Sequence, residues 1–367
     1  MSDDGSLKKY NYRFQIILSL ITIILSCLHL AIYRKIVNVN SVSGFDFKTE
    51  LYIFSWRYQV ILLLIFTYSM VYNVFKKKET EHNGVASDIS LIYSRVHSFQ
   101  LSIKDIIQFD KIWFIFINLL SSFMFLLSTY FIPLGLAMIL YYSSFFYALN
   151  LPLYGTYFEG KIKNTTVKIF THILYLFGII EVISHSHNFF GVPTNKESIS
   201  NICSFVCGLI LCFFANYLNF QQKIHMNNVF KEKSPFQIVF VIYFNLTVVT
   251  LGILAGYIIF FDNCNLYNLF GWLFSIEKFY QVGLGVGLLA FSQIIINILM
   301  TIFVETNWIK FLQIIEPLFA DMFAIFIVHL YSAPKEPSYY IGILEITVAS
   351  FFVEFSILFE KFEKNSN

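Results

Sequence analysis

Charge is what this sequence has least of. Asp, Glu, Lys and Arg make up only 13% of its 367 residues, about half the share in an ordinary soluble domain. So few charges cannot solvate the surface of a chain this long. Its mean hydropathy of +0.66 is too high to be hidden inside one water-facing core, so fibrous, disordered and secreted classes are excluded. The net charge is only +2 and no basic tract with interleaved aromatics occurs, so nucleic-acid binding has no footprint. Cysteine is scarce and odd in number. Four of the five (Cys27, Cys203, Cys207, Cys212) lie in apolar runs and Cys264 stands alone in a polar connection, which gives no disulfide framework. A phosphate-cradling loop, a nucleophile elbow and a paired-His metal motif are all missing, so ATP-driven pumping, enzymatic chemistry, cofactors and metals have no support.

What is present is apolar length. A helix needs about 20 apolar residues to cross a hydrocarbon core of ~30 Å. Ten runs meet that ruler: 15–33, 51–75, 112–132, 133–158, 166–184, 199–220, 236–261, 279–304, 308–331 and 339–359. The expected fold class is therefore all-α integral membrane, with ten transmembrane helices. Lys8, Lys9 and Arg13 precede the first run as in a signal sequence. No small-residue cleavage site follows, and the run ends in Tyr33-Arg34-Lys35, so it reads as an uncleaved first span. With both termini cytosolic, eighteen of the 25 Lys and Arg fall on inner segments, six on outer ones, and Arg57 inside a span. That asymmetry is the positive-inside pattern. It leaves plasma membrane and endomembrane undistinguished.

The connections divide the chain into cytosolic tails (1–14 and 361–367) and two five-span halves, 15–184 and 199–360, joined by a polar loop at 185–198. An odd number of spans per half makes equivalent helices run in opposite directions, as in inverted-repeat transporters. The joints at Ile132-Pro133 and at 305–307 are tight in both halves. The long inner loop 76–111 contains a stretch, 87–109, that reads as an amphipathic helix at the membrane surface.

Four segments carry a family likeness. Gln313-Ile314-Ile315-Glu316-Pro317-Leu318-Phe319-Ala320, followed by Tyr339-Tyr340-Ile341-Gly342, resembles the eighth-to-tenth-span region of EamA-type members of the drug/metabolite transporter superfamily. Tyr130-Phe131-Ile132-Pro133-Leu134-Gly135 is similar to the third–fourth span joint of that repeat, and Trp56-Arg57-Tyr58 to the arginine near the start of its second span. The resemblance implies ten helices, an inverted five-plus-five repeat and a central cavity for a small solute. Two departures stand out. The Leu-Gly-Glu after the fourth and ninth spans is replaced by Tyr157-Phe158-Glu159 and Tyr331-Ser332-Ala333. The Lys-Arg pair of nucleotide-sugar relatives is absent, with only Lys310 nearby.

Ionisable residues inside spans cost about 2.5–3.5 kcal/mol each on insertion scales, so a span keeps them for a reason. Arg57, six residues into span two, is read either as snorkelling to the interface beside Trp56 and Tyr58 or as a gate or anion contact, with Glu345 of span ten as its partner. Glu316 precedes Pro317, whose missing N–H frees the Gln313 carbonyl and directs the kink toward the bundle interior. Gln313 and Glu316 share a helix face. Glu316 is assigned to the cavity and Asp321, near the middle of the same span, to an interhelical contact. Gln293 and Asn297 share a face as packing glue or substrate contacts, Gly283 and Gly287 form a small-residue packing face, and Tyr142 and Ser143 are further pocket candidates. Pro317, Asp321 and Glu345 are the structural or coupling candidates.

The expected function is secondary transport of a small polar or charged metabolite by alternating access. A nucleotide-sugar or phosphate-ester exchanger of the same superfamily is the alternative. Outside that class stand an intramembrane transferase, disfavoured because His29, His172 and His329 are scattered, and a non-transporting scaffold. The expected partners are the lipid bilayer, a small solute, a proton or counter-substrate, and a second copy in a homodimer.

Overall fold

The computed structural model describes residues 12–40, 46–82, 109–142, 165–186, 197–229, 235–262, 265–303, 315–330 and 337–366. These are almost wholly helical, and no strand occurs among them. In chain order the helices are α1 (Tyr12–Asn40), α2 (Phe47–His82), α3 (Phe109–Phe131), α4 (Leu134–Tyr142), α5 (Thr165–Ser186), α6 (Glu197–Val229) and α7 (Pro235–Phe261). They continue with α8 (Leu289–Phe303), α9 (315–322) and α10 (Pro337–Ser366). A π-helix, Phe279–Leu288, runs into α8, and another, Phe323–Ile327, extends α9.

Among the described residues, six helices are long and apolar enough to cross a membrane: Phe14–Asn40, Phe47–Val71, Ile112–Phe131, Cys203–Gln222, Pro235–Phe261 and Ile276–Met300. A shorter apolar helix spans Ile169–His185. Several leave large apolar faces uncovered, such as Ile17, Leu20 and Ile24 on α1 or Phe170, Ile173 and Phe177 on α5. Apolar faces of that extent on helix after helix suit a lipid solvent and not water. The chain is thus an all-α protein with multi-pass membrane character.

Contacts group the chain into two compact units. The first comprises Met1–Arg34, Leu120–Ile224 and Leu299–Asn367. At its centre is α4, in which every residue from Leu134 to Leu140 is buried. A helix that is apolar all round is a core helix, and its neighbours reach its backbone. Cys212 Sγ and Asn216 Nδ2 of α6 donate to the carbonyls of Ala137 and Leu140, at 3.1 and 2.6 Å. Arg34 donates to the Ile132 carbonyl at the α3–α4 joint. Helices α5 and α10 cross through Gly178 and Gly342. A Cβ on either would come within 2.7 Å of the other's carbonyl oxygen, so the two backbones touch as only small residues allow.

The second unit comprises Lys35–Leu119 and His225–Ile298. Asp46 starts α2 as an N-cap, accepting from the Thr49 hydroxyl at 2.6 Å and from the Lys48 and Thr49 N–H groups. Tyr52, Trp56 and Val60, spaced by four, then pack with Leu51 on Leu254 and Ile258 of α7 and on Trp272 and Val282. Trp272 lies in a chain of one-turn helices, Leu266–Phe270, Gly271–Phe274 and Ile276–Lys278, where the sequence reading has only a connection. This segment is locked onto α2. Trp272 donates to Gln59 Oε1 at 2.9 Å, Gln59 Nε2 to the Leu269 carbonyl at 2.9 Å, and Trp56 Nε1 to the Asn268 carbonyl at 3.1 Å. Its Tyr267, Phe274 and Ile276 face outward.

The glycines at 283 and 287 correct the expected packing face. Gly287 lies against Val60 of α2, whereas a Cβ on Gly283 would meet only Phe279 of its own helix.

Candidate functional site

Glu316 and Asp321 belong to the first unit and are both buried, at 6% and 2% exposure, yet their surroundings differ. Asp321 is fully engaged. Its Oδ1 accepts the Gly135 N–H at 2.7 Å and its Oδ2 accepts the Tyr339 hydroxyl at 2.8 Å. Gly135 is in the first turn of α4, where N–H groups have no partner within the helix. Asp321 therefore supplies from α9 the capping acceptor that Pro133, just before α4, cannot provide, and favours the positive end of the α4 dipole. Gly135 is required for this approach, because a Cβ there would fall on the Asp321 carboxylate and 2.9 Å from the Pro317 carbonyl oxygen. Tyr339 extends the clamp to α10.

Glu316 is not clamped. Its backbone carbonyl accepts from Cys27 Sγ of α1 at 3.4 Å. Its side chain stands next to Ser26 and Tyr142, and its Oε1 has no hydrogen-bond partner among the described residues. A buried carboxylate oxygen with no protein donor is open to a proton, a cation or a polar solute. Pro317 is buried in the same turn, and its carbonyl lies against Gly135 at the start of α4.

The other sequence-based candidates fall in both units. Arg57, in the second unit, is 8% exposed and so buried instead of carried out to solvent. Its guanidinium carbon lies 5.0 Å from the Tyr58 ring centroid and 5.7 Å from that of Phe54. Glu345 belongs to the first unit. It sits on α10 where Gly178 of α5 crosses, and Glu181 takes the matching position beside Gly342. Gln293 is half-buried on α8 and Asn297 is exposed. Gln313, Ser143, Cys264, residues 87–108 of the expected surface helix and the tripeptides at 157–159 and 331–333 lie outside the described residues.

The α5–α10 crossing has a counterpart in the sequence. Gly178-Ile179-Ile180-Glu181-Val182 and Gly342-Ile343-Leu344-Glu345-Ile346 are identical at three of five positions and apolar at the other two, and these are the two stretches that cross. Ser26 and Cys27 of α1, beside Glu316, were missed. Small polar residues in an apolar run carry no periodic signal of their own. No protein-family model matches the sequence, and no curated protein matches it.

Proposed function

We propose that this protein is a secondary transporter that moves a small polar or charged metabolite by alternating access. In this reading it has ten spans in two inverted five-helix repeats, with both termini cytosolic. The observation that carries it is Glu316, a buried carboxylate with an oxygen that no described protein group satisfies, in a multi-pass chain. Insertion scales set its cost at about 2.5–3.5 kcal/mol. A packing role would recover that cost through hydrogen bonds, as Asp321 does, and Glu316 Oε1 makes none. A solute or proton that binds and leaves during a cycle needs such an acceptor.

Helix pairing supports the repeat. Helix α2 packs on α7 and α5 on α10, and counted as spans of the ten-span reading both pairs are five apart. A two-fold axis in the membrane plane brings equivalent helices together in this way. The matching Gly-Ile-x-Glu stretches at the α5–α10 crossing agree with such an axis, as does the resemblance to EamA-type transporters.

The test is uptake by proteoliposomes against a panel of labelled amino acids, organic acids and organic cations, at several pH values. Glu316→Gln keeps the shape and removes the charge. It should elute and melt like the wild type yet lose transport or its pH dependence. Normal uptake with an unchanged pH profile in Glu316→Gln would refute the assignment.

A further inference from the structure

A pocket of about 260 Å³ opens in the second unit at the amino-terminal end of α2. That is just below the usual range of ligand sites, about 300–1,000 Å³, and suits a small solute. Tyr52 and Trp56 form its aromatic wall, with ring centroids 5.3 Å apart. Lys48, Lys278, Asn40 and Gln281 supply the polar lining. The walls are braced. Asn40 donates to Gln281 Oε1 at 3.0 Å, Trp56 is fixed by its bond to the Asn268 carbonyl, and Gly271 lies flush against the Trp56 ring.

The balance of charge decides what this pocket selects. Asp262 is committed: Lys48 pairs with its Oδ1, while the Tyr52 hydroxyl and Asn268 Nδ2 donate to its Oδ2 at 2.6 and 2.9 Å. Asp46 is occupied by capping α2. Glu277 accepts from Gln281 Nε2 at 3.1 Å. The adjoining stretches 41–45 and 263–264 contain no acidic residue. Lys278 is different. Its ammonium lies 5.3 Å from the Trp56 ring centroid, and among the described residues no carboxylate is within ion-pair distance of it. Contact with a ring face leaves the ammonium protons that point away from the ring free to donate.

We infer that this pocket binds a small organic oxyanion, a carboxylate or phosphate, with its charged group on Lys278 and its body against Tyr52 and Trp56. The proposal is independent of the transport reading, because binding is measured without uptake. A dissolved metabolite and a phospholipid headgroup share this chemistry, and the bilayer composition distinguishes them.

Tryptophan fluorescence reads the site directly. The chain has four Trp residues, and a Trp113→Phe, Trp308→Phe background keeps only Trp56 and Trp272. In phosphatidylcholine nanodiscs, phenyl phosphate and benzoate should quench this protein saturably, and neutral benzyl alcohol should not. Lys278→Gln should weaken both anions by at least about tenfold, the loss expected for one charge-assisted hydrogen bond. Lys278→Arg should restore most of the affinity. Both variants should melt like their parent, since Lys278 is exposed. Phosphatidylglycerol in the disc should compete with phenyl phosphate if the occupant is a lipid headgroup, and should leave its affinity unchanged if the occupant is a dissolved solute. Absence of saturable quenching, an equal response to benzyl alcohol, or unaltered affinity in Lys278→Gln would overturn the inference.

Discussion

Replacing Gly135 with alanine should reverse the sign that this exchange has in an ordinary helix. Alanine is favoured over glycine by about 0.8–1.0 kcal/mol inside helices, and α4 is a regular helix at this position. Here the new methyl group falls on the Asp321 carboxylate. The carboxylate must swing away and give up the bonds from the Gly135 N–H and the Tyr339 hydroxyl. Each hydrogen bond to a charged group contributes about 1.5–3 kcal/mol, and overpacking a core costs about 1–3 kcal/mol. These losses overlap, so they do not simply add. Set against the gain in propensity, they leave a net destabilisation of about 3 kcal/mol. The control is the same exchange in an Asp321→Ala background. With no carboxylate to displace, the methyl meets only the Pro317 carbonyl, so the second exchange should cost much less. A coupling of at least about 1.5 kcal/mol is expected between the two sites. Equilibrium unfolding of the four proteins in mixed micelles, titrated with a denaturing detergent, measures it. A Gly135→Ala protein as stable as the wild type, or costs that add within about 0.5 kcal/mol, would refute the capping role of Asp321.

Two further outcomes are expected. Donation from Lys48 foremost, then from Tyr52, holds the Asp262 carboxyl down at about 2, below its ordinary 3.8. A depressed acid adds stability that is complete above the ordinary value and is lost as pH falls toward 2. Melting temperatures measured between pH 6 and 2 should therefore drop in the wild type below about pH 4, and this component should vanish in Asp262→Asn. Equal slopes in the two proteins would show that the Lys48–Asp262 contact adds nothing. For topology, Asn164-Thr165-Thr166 is a glycosylation acceptor sequence that the ten-span reading puts on the cytosolic side. Expression in cells that glycosylate should leave Asn164 unmodified and should modify an acceptor engineered into the 185–198 loop, and glycan on Asn164 would invert the orientation.

Much of the architecture is a local property of the sequence, because the length of an apolar run and its lack of charge settle whether a helix can sit in lipid. Composition and run length alone therefore point to an all-α membrane protein. The polar exceptions within those runs, Arg57, Glu316 and Asp321, are visible for the same reason: each is costly wherever the helix goes. Sequence also holds the matching pentapeptides at 178–182 and 342–346, although a five-residue echo gains meaning only once the two stretches are seen to cross.

Tertiary structure decided which costs are recovered, and by what. Asp321 finds its donors at Gly135, 186 positions away in sequence, and at Tyr339. In the α9 run only Pro317 and the position along the span set it apart from Glu316, and neither shows that Glu316 Oε1 finds no donor among the described residues. The segment 266–278 reads as a loop because its one-turn helices are too short to show a period. Its structure comes from hydrogen bonds to Trp56 and Gln59 of α2, more than 200 positions earlier. The same distance separates Lys48 from Lys278. A local pattern can place a residue in a helix and fix what its burial costs. Whether that residue is satisfied depends on groups that only folding brings within about 3 Å.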